Sequence, residues 1–166
     1  MQTRLAQIKL LALDVDGVLT DGTINIGDNG ELFKGFNAKD GLGISCALRS
    51  GLQVAIITGR KSAIIHKRAA ELGITMLREG VKDKYAELVK VAEEFDFTQE
   101  QIAYMGDDLN DLPAFKAAGI AFAPQDAVTE VAAMATIVTT KCGGRGAVRE
   151  AVENILKAQN KWEALV

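Results

Sequence analysis

Asp14-Val15-Asp16-Gly17 follows an apolar run from Ile8 to Leu13, so two carboxylates sit where a buried strand reaches the surface. Side chains alternate faces along a strand, and Asp14 and Asp16 converge on one site if that geometry persists to its end. Two carboxylates this close repel unless a cation lies between them or one keeps a proton, and a hard divalent ion such as Mg²⁺ takes oxygen ligands of this kind. Gly17 lets the chain turn sharply after them. The pattern points to metal-assisted phosphate chemistry. A strand ending in a polar turn has the same spacing, so the decision falls to signals further along.

Three such signals follow in order. Val54-Ala55-Ile56-Ile57-Thr58-Gly59-Arg60 is a second apolar run, ending in a hydroxyl, a glycine and a cation. Lys84 opens a helical pattern, where a cation and the helix dipole both favour anions. Ile102 to Met105 is a third strand, and Gly106-Asp107-Asp108-Leu109-Asn110-Asp111 is its acidic end. An EF-hand reading of that loop fails on spacing and on the missing final Glu.

The elements that must position these residues alternate strand with helix, which predicts an α/β fold: a Rossmann-like, doubly wound parallel sheet. Strands are expected at 8 to 14, 53 to 58, 102 to 105 and 120 to 123, with weaker patterns at 74 to 77 and 136 to 139. Helices are expected near 40 to 50, 61 to 72, 83 to 95, 110 to 118, 126 to 133 and 146 to 160. Gly51 and Gly73 stand where helix C-caps place glycine. Thr23 to Ile26 and Glu31 to Lys34 flank Gly27-Asp28-Asn29-Gly30, predicting a β-hairpin after strand 1. Arg60 and Lys84 are too close in sequence for a cap domain between them, so residues 1–166 read as one domain without a cap.

Composition agrees with a compact enzyme. The chain has 166 residues, 48% of them hydrophobic, enough for a sizeable core. A net charge of −3 gives no footprint for nucleic acid. No apolar stretch predicts a membrane span and the first residues lack a signal-peptide core, so a cytoplasmic protein is expected. Cys46 and Cys142 lack metal-ligand spacing and read as ordinary thiols.

These motifs together resemble the haloacid dehalogenase superfamily of phosphohydrolases, with its order Asp-x-Asp-Gly, Thr or Ser, Lys, then Gly-Asp-Asp-x-x-Asp. Asp14 to Gly22, Phe36-Asn37-Ala38-Lys39-Asp40-Gly41, Thr58-Gly59-Arg60 and Gly143 to Glu150 are similar, more narrowly, to the 3-deoxy-D-manno-octulosonate 8-phosphate (Kdo 8-phosphate) phosphatases. The resemblance implies hydrolysis of a phosphate monoester through an aspartyl-phosphate. Asp14 would be nucleophile and metal ligand, and Asp16 general acid and base and a metal ligand through its carbonyl. Thr58 and Gly59 would hold the phosphoryl group, Lys84 would neutralise its charge, and Mg²⁺ would be bound. Asp107 is the chosen remaining ligand, with Asp108 and Asp111 as alternatives. Asn37, Lys39, Asp40, Gly41 and Asn110 would contact substrate.

Arg60 and Arg68, eight residues apart, face alike if both lie on a helix and would present two guanidinium groups to an anionic substrate. Arginine at Arg60 favours the eight-carbon acid, since the related nonulosonate 9-phosphate phosphatases are expected to carry Glu there. Two departures from the family stand out: Lys39 where Arg is frequent, and Glu79-Gly80 where Gln-Gly is usual. Lys cannot form the bidentate fork of Arg. Alternatives are another phosphorylated sugar acid, or a receiver-like or regulatory phosphate-binding module; a receiver would place its phosphoacceptor after the acidic pair, not before it. An uncapped site implies a homotetramer in which a neighbouring subunit covers it, reached by the hairpin and the tail Lys161 to Val166. His66 reads as a surface or packing residue.

Overall fold

Strand β1 (Leu10–Leu13) is buried along its whole length, as a parallel strand with helices on both faces must be. The computed structural model describes residues 1–165. β1 pairs in parallel with β4 (Gln53–Ile57) on one side and β6 (Ile102–Met105) on the other, Leu10 standing between Gln53 and Ile102. With β5 (Met76–Arg78), β7 (Ile120–Ala123) and β8 (Ile137–Val138), the order across the six-stranded sheet is β5-β4-β1-β6-β7-β8. The chain runs outward from β1 through β4 to β5, then returns beside β1 and runs outward the other way. This reversal opens a crevice at the carboxyl ends of β4, β1 and β6, where sheets of this kind bind ligands.

Alternation along the strands builds two cores. Leu11, Leu13, Val54, Ile56, Ala103 and Met105 pack with α1 (Gln2–Ala6), α2 (Ala38–Arg49), α3 (Ala63–Leu72) and α7 (Ala147–Ala158). Leu10, Ala12, Ala55, Ile57, Ile102 and Tyr104 pack with α4 (Lys84–Glu94), α5 (Leu112–Ala117) and α6 (Thr129–Met134). Helix starts are fixed locally: the side chains of Asn37, Ser62 and Asp83 accept from the N–H groups of Lys39, Ile65 and Ala86. Gly73 ends α3 at φ +77°.

The hairpin is tighter than expected. β2 (Asn25–Gly27) and β3 (Gly30–Phe33) enclose only Asp28-Asn29; a register shift between Asn25 and Ile26 bulges the ladder, which closes with Asn25 opposite Phe33 and leaves Thr23, Ile24 and Lys34 outside. Helix α1 and the 3₁₀ turns at Gln99–Gln101, Leu109–Asp111 and Glu163–Leu165 were not expected, because so few residues carry no readable period.

The tail packs on its own chain. Trp162 is buried, with the Arg149 guanidinium 4.8 Å and the Lys157 ammonium 5.8 Å from its ring centroid. Lys161 donates to the Ser50 carbonyl at 2.9 Å. Through Leu165 this stretch is ordered against its own chain; Val166 lies outside the described residues. Replacing Trp162 with Ala is expected to cost about 3 kcal/mol, lowering Tm by roughly 6 to 12 °C for a domain of this size. A shift under about 2 °C in a thermal melt contradicts this anchoring.

Candidate active site

Asp14 leaves the end of β1 almost fully buried and meets Lys84, the first residue of α4, whose ammonium lies 2.8 Å from its Oδ2. The same ammonium donates to Asp111 Oδ1 at 2.6 Å, and its side chain is 2% exposed. Burial pushes the Lys84 ammonium toward neutrality, but the charges of Asp14 and Asp111 outweigh it and its pKa rises. Asp111 is saturated. Its Oδ1 also accepts from the Tyr104 hydroxyl at 2.8 Å, and its Oδ2 accepts from the Asp107 and Asp108 N–H groups at 3.0 and 3.2 Å. Asp111 therefore shapes the acidic loop and holds Lys84, with no acceptor capacity left for a cation.

Asp107 is different. Its Oδ1 is buried and lacks a hydrogen-bond partner among the described residues. Burial, then the charges of Asp111, Asp14 and Asp108, raise its pKa to about 7, and burial and Asp111 raise that of Asp14 to about 6. Carboxylate oxygens of Asp14, Asp107 and Asp111 lie within 4.8 Å of one another. Three carboxylates against one ammonium leave an excess of two negative charges, and the orphaned Asp107 oxygen faces that excess. This donor set fits a hard divalent cation such as Mg²⁺, with Asp14 and Asp107 as the side chains able to hold it. Asp108 turns aside: exposed, it accepts from Leu109 N–H at 2.7 Å and caps the 3₁₀ turn.

Close approach of backbone makes this cluster possible. A Cβ on Gly17, whose φ is +84°, would overlap the Asp107 carboxylate. A Cβ on Gly143 would overlap the Gly17 carbonyl, and Gly144 N–H donates to the Val18 carbonyl at 2.9 Å. The Gly143 to Gly146 turn thus clamps the loop after β1 as well as leading into α7.

Asp16 lies with Asp14, Thr58, Gly59, Arg60, Asp107, Asp108 and Asn110 on a cavity of about 250 Å³. Thr58 is buried at the end of β4. Arg60 brings its Nε to 3.8 Å from Asp16 Oδ2 and is half exposed. Lys34, which the sequence reading passed over, donates to Asp16 Oδ1 at 2.5 Å and lies 2.9 Å from Glu31 Oε1. A larger groove of about 850 Å³ opens at the opposite, amino ends of the central strands, around Lys9, Gln101 and Gln159, and holds no carboxylate cluster among the described residues.

Five expected substrate contacts do not reach the cavity within one chain. Asn37 spends its Oδ1 on the Lys39 N–H. Lys39 instead borders a separate groove with Lys141, Arg145 and Arg149. Asp40 is 2% exposed and accepts from the N–H groups of Gly146 and Arg149 at 3.1 and 2.8 Å, so it joins α2 to the start of α7. A Cβ on Gly41 would strike the Arg68 guanidinium. Arg68 pairs with Glu71 at 2.9 Å and lies 5.4 Å from the Phe36 ring centroid. The expected pairing of Arg60 with Arg68 fails because α3 begins at Ala63, leaving Arg60 in the preceding loop. Glu79 is likewise engaged, by the Ser62 N–H at 2.9 Å and by His66 at 2.5 Å.

Similarity to known proteins agrees with this arrangement. The family model described as haloacid dehalogenase-like hydrolase matches residues 77–151. The chain is 48% identical over 156 residues to the 3-deoxy-D-manno-octulosonate 8-phosphate phosphatase of Escherichia coli strain K12, covering 94% of this chain and 83% of that protein. It superposes on the crystal structure of the Yersinia pestis phosphatase of the same name with a TM-score of 0.95 at 45% identity, covering 98% of this chain and 88% of that one. The Moraxella catarrhalis phosphatase, crystallised with magnesium, phosphate and Kdo, gives 0.96 at 43% identity, covering 99% and 94%. With this identity along nearly its whole length, the chain belongs to the 3-deoxy-D-manno-octulosonate 8-phosphate phosphatase family of haloacid dehalogenase-like hydrolases.

Proposed function

We propose that the protein hydrolyses 3-deoxy-D-manno-octulosonate 8-phosphate to Kdo and phosphate. The observation that carries this reading is the convergence of Asp14, Thr58, Lys84 and Asp107 at the carboxyl ends of three adjacent strands, in a chain of this family. Asp14 attacks phosphorus, forming an acyl phosphate as the bond to the sugar oxygen breaks. Asp16 gives its proton to the departing oxygen, then takes one from the water that cleaves the acyl phosphate. The Thr58 hydroxyl and Gly59 N–H hold the phosphoryl oxygens, and Lys84 fixes Asp14 while offsetting charge beside it. Mg²⁺, held by Asp14, Asp107 and, by family pattern, the Asp16 carbonyl, would offset phosphoryl charge that otherwise repels a carboxylate nucleophile. Arg60 at the rim, half exposed, suits the sugar-acid carboxylate.

The cavity supports a homotetramer. About 250 Å³ is less than the roughly 300 Å³ or more usual for small-molecule sites, so the site has room for the phosphoryl end and needs further walls for eight carbons. Ile26, Leu32 and Phe33 on the hairpin are 67%, 62% and 59% exposed, an apolar surface suited to a neighbouring subunit. Light scattering should give four times the 17.7 kDa chain mass, and Phe33→Asp should yield smaller species with a raised KM; a wild-type monomer of full activity contradicts the tetramer.

Turnover of Kdo 8-phosphate should need Mg²⁺, exceed that of a nonulosonate 9-phosphate and simple sugar phosphates by at least about tenfold, and fall about 10³-fold or more in Asp14→Asn. Equal slow turnover of all esters removes the named substrate and leaves a phosphatase.

The pH dependence of stability tests the cation site. In the fold Asp14 and Asp107 titrate near about 6 and about 7, against about 3.9 in an unfolded chain. Between those limits the folded state binds more protons, so their contribution to metal-free stability falls as pH rises from about 4 to 7 and is then level. The Tm gain from Mg²⁺ should accordingly be larger at pH 8 than at pH 5.5, and small at both in Asp107→Asn. A gain largest at pH 5.5 contradicts the site.

A further inference from the structure

Lys34 ends a hairpin whose neighbouring side chains, Leu32 and Phe33, are exposed, yet its own side chain is 2% exposed. A buried ammonium is tolerated only with partners, and Lys34 has two: Asp16 Oδ1 at 2.5 Å and Glu31 Oε1 at 2.9 Å. Glu31 accepts in turn from the Ser62 hydroxyl, and Ser62 caps α3 just after Thr58-Gly59-Arg60. One chain of polar contacts thus runs from Asp16 through the hairpin to the loop that holds the phosphoryl group. On the other side of Asp16, Arg60 Nε stands 3.8 Å from Oδ2, too far for a hydrogen bond. One oxygen of Asp16 is anchored, and the other has no hydrogen bond among the described residues, in a residue that lines the cavity.

We propose that Lys34 is a positioning residue for the first half-reaction: it holds Asp16 Oδ1 so that Oδ2 meets the bridging oxygen of the substrate, and so makes proton delivery depend on the seating of the hairpin. This rests on the phosphatase reading and deepens it. When Asp14 forms its bond to phosphorus, the electron pair of the breaking P–O bond stays on the sugar oxygen, which takes the proton from Asp16 and departs as an alcohol. A sugar alkoxide is too basic to leave without that proton, whereas a nitrophenolate leaves as a stable anion. General acid catalysis also needs hydrogen-bond reach between acid and leaving oxygen. Without Lys34, nothing holds Oδ1, and the carboxylate is free to turn toward Arg60. A misplaced Asp16 therefore slows sugar esters far more than aryl esters.

The test compares kcat/KM, which reports the steps through departure of the alcohol, for Kdo 8-phosphate, a hexose 6-phosphate and p-nitrophenyl phosphate, with Mg²⁺ and matched thermal melts. In Lys34→Met the ratio of sugar-ester to nitrophenyl-ester kcat/KM should fall at least tenfold for both sugar esters. Asp16→Asn should lower it in the same way, and the double variant should lower it no further. Lys34→Arg, which keeps the charge on a wider planar group, should give an intermediate ratio and carries the test if the Met variant does not fold. Equal slowing of aryl and sugar esters, or an unchanged ratio, overturns the proposal and leaves Lys34 a merely structural cation. A wild-type chain that does not discriminate among sugar phosphates removes the named substrate while the ratio remains decisive; a wild-type chain inactive on all three esters removes both readings.

Discussion

The buried ammonium of Lys84, between Asp14 at 2.8 Å and Asp111 at 2.6 Å, is the contact on which the site depends. Two unit charges about 4 Å apart repel by roughly 4 kcal/mol at an effective dielectric constant of 20, and this site brings three carboxylates together. Lys84 offsets part of that repulsion and joins three separate pieces of chain: the end of β1, the start of α4 and the turn after β6. Such a pair is weak evidence for stability, because desolvation of both groups opposes their attraction. Its value lies in geometry. Asp111 is fixed by four hydrogen bonds, Lys84 is fixed by Asp111, and Asp14, on the cavity wall, is held against Lys84.

Much of this was legible in sequence because strand-end chemistry is local. Asp14, Thr58 and Asp107 each follow an apolar run, and the sheet order places those three runs side by side. Lys84 was legible from its helix start. Lys34 was not, since its meaning lies in contacts with Asp16 across 18 residues and with the hairpin's own Glu31, and no pattern in the intervening turn announces them. Asn37, Asp40 and Gly41, expected at the substrate from family resemblance, serve within this chain as a cap, a buried acceptor and a close-packing glycine, which use the same residue types as binding loops. Space separates them: the oxygens of Asp40 are taken by Gly146 and Arg149, and Gly41 makes room for Arg68.

Glycine explains how the loops come close enough for Asp107 to serve the site at all. Gly17 leaves space for the Asp107 carboxylate, Gly106 for the side chain of Asp111, and Gly143 for the carbonyl of Gly17. These positions cannot be exchanged for alanine without moving backbone or one of the cluster's carboxylates. The motif glycines therefore do two jobs. Gly17 gives the turn after Asp14-Val15-Asp16, at φ +84°, and also a gap the width of a methyl group beside the Asp107 carboxylate.

A site so arranged is held against its own electrostatics. Asp14 and Asp107 are harder to ionise in the fold than in water, chiefly through burial and then through Asp111. That unfavourable state persists because two apolar clusters fix the strands on which it rests, including Leu11, Leu13 and Met105 on one face and Leu10, Ala12 and Ile57 on the other. The sheet stores the mismatch, and binding can relieve it: a divalent cation between the carboxylates converts a repulsive cluster into a set of ligands. The same reasoning explains why the strong acceptors are divided. Asp111, buried and saturated, organises the loop; Asp107, half-buried with its buried Oδ1 unpartnered among the described residues, is available to a cation; Asp16, partly exposed, has one oxygen tied to Lys34 and lies on the cavity. Four carboxylates within one short stretch of space differ in task because they differ in which protein groups occupy their oxygens: four donors on Asp111, Lys84 on Asp14, Lys34 on Asp16, and no partner for Asp107 Oδ1 among the described residues.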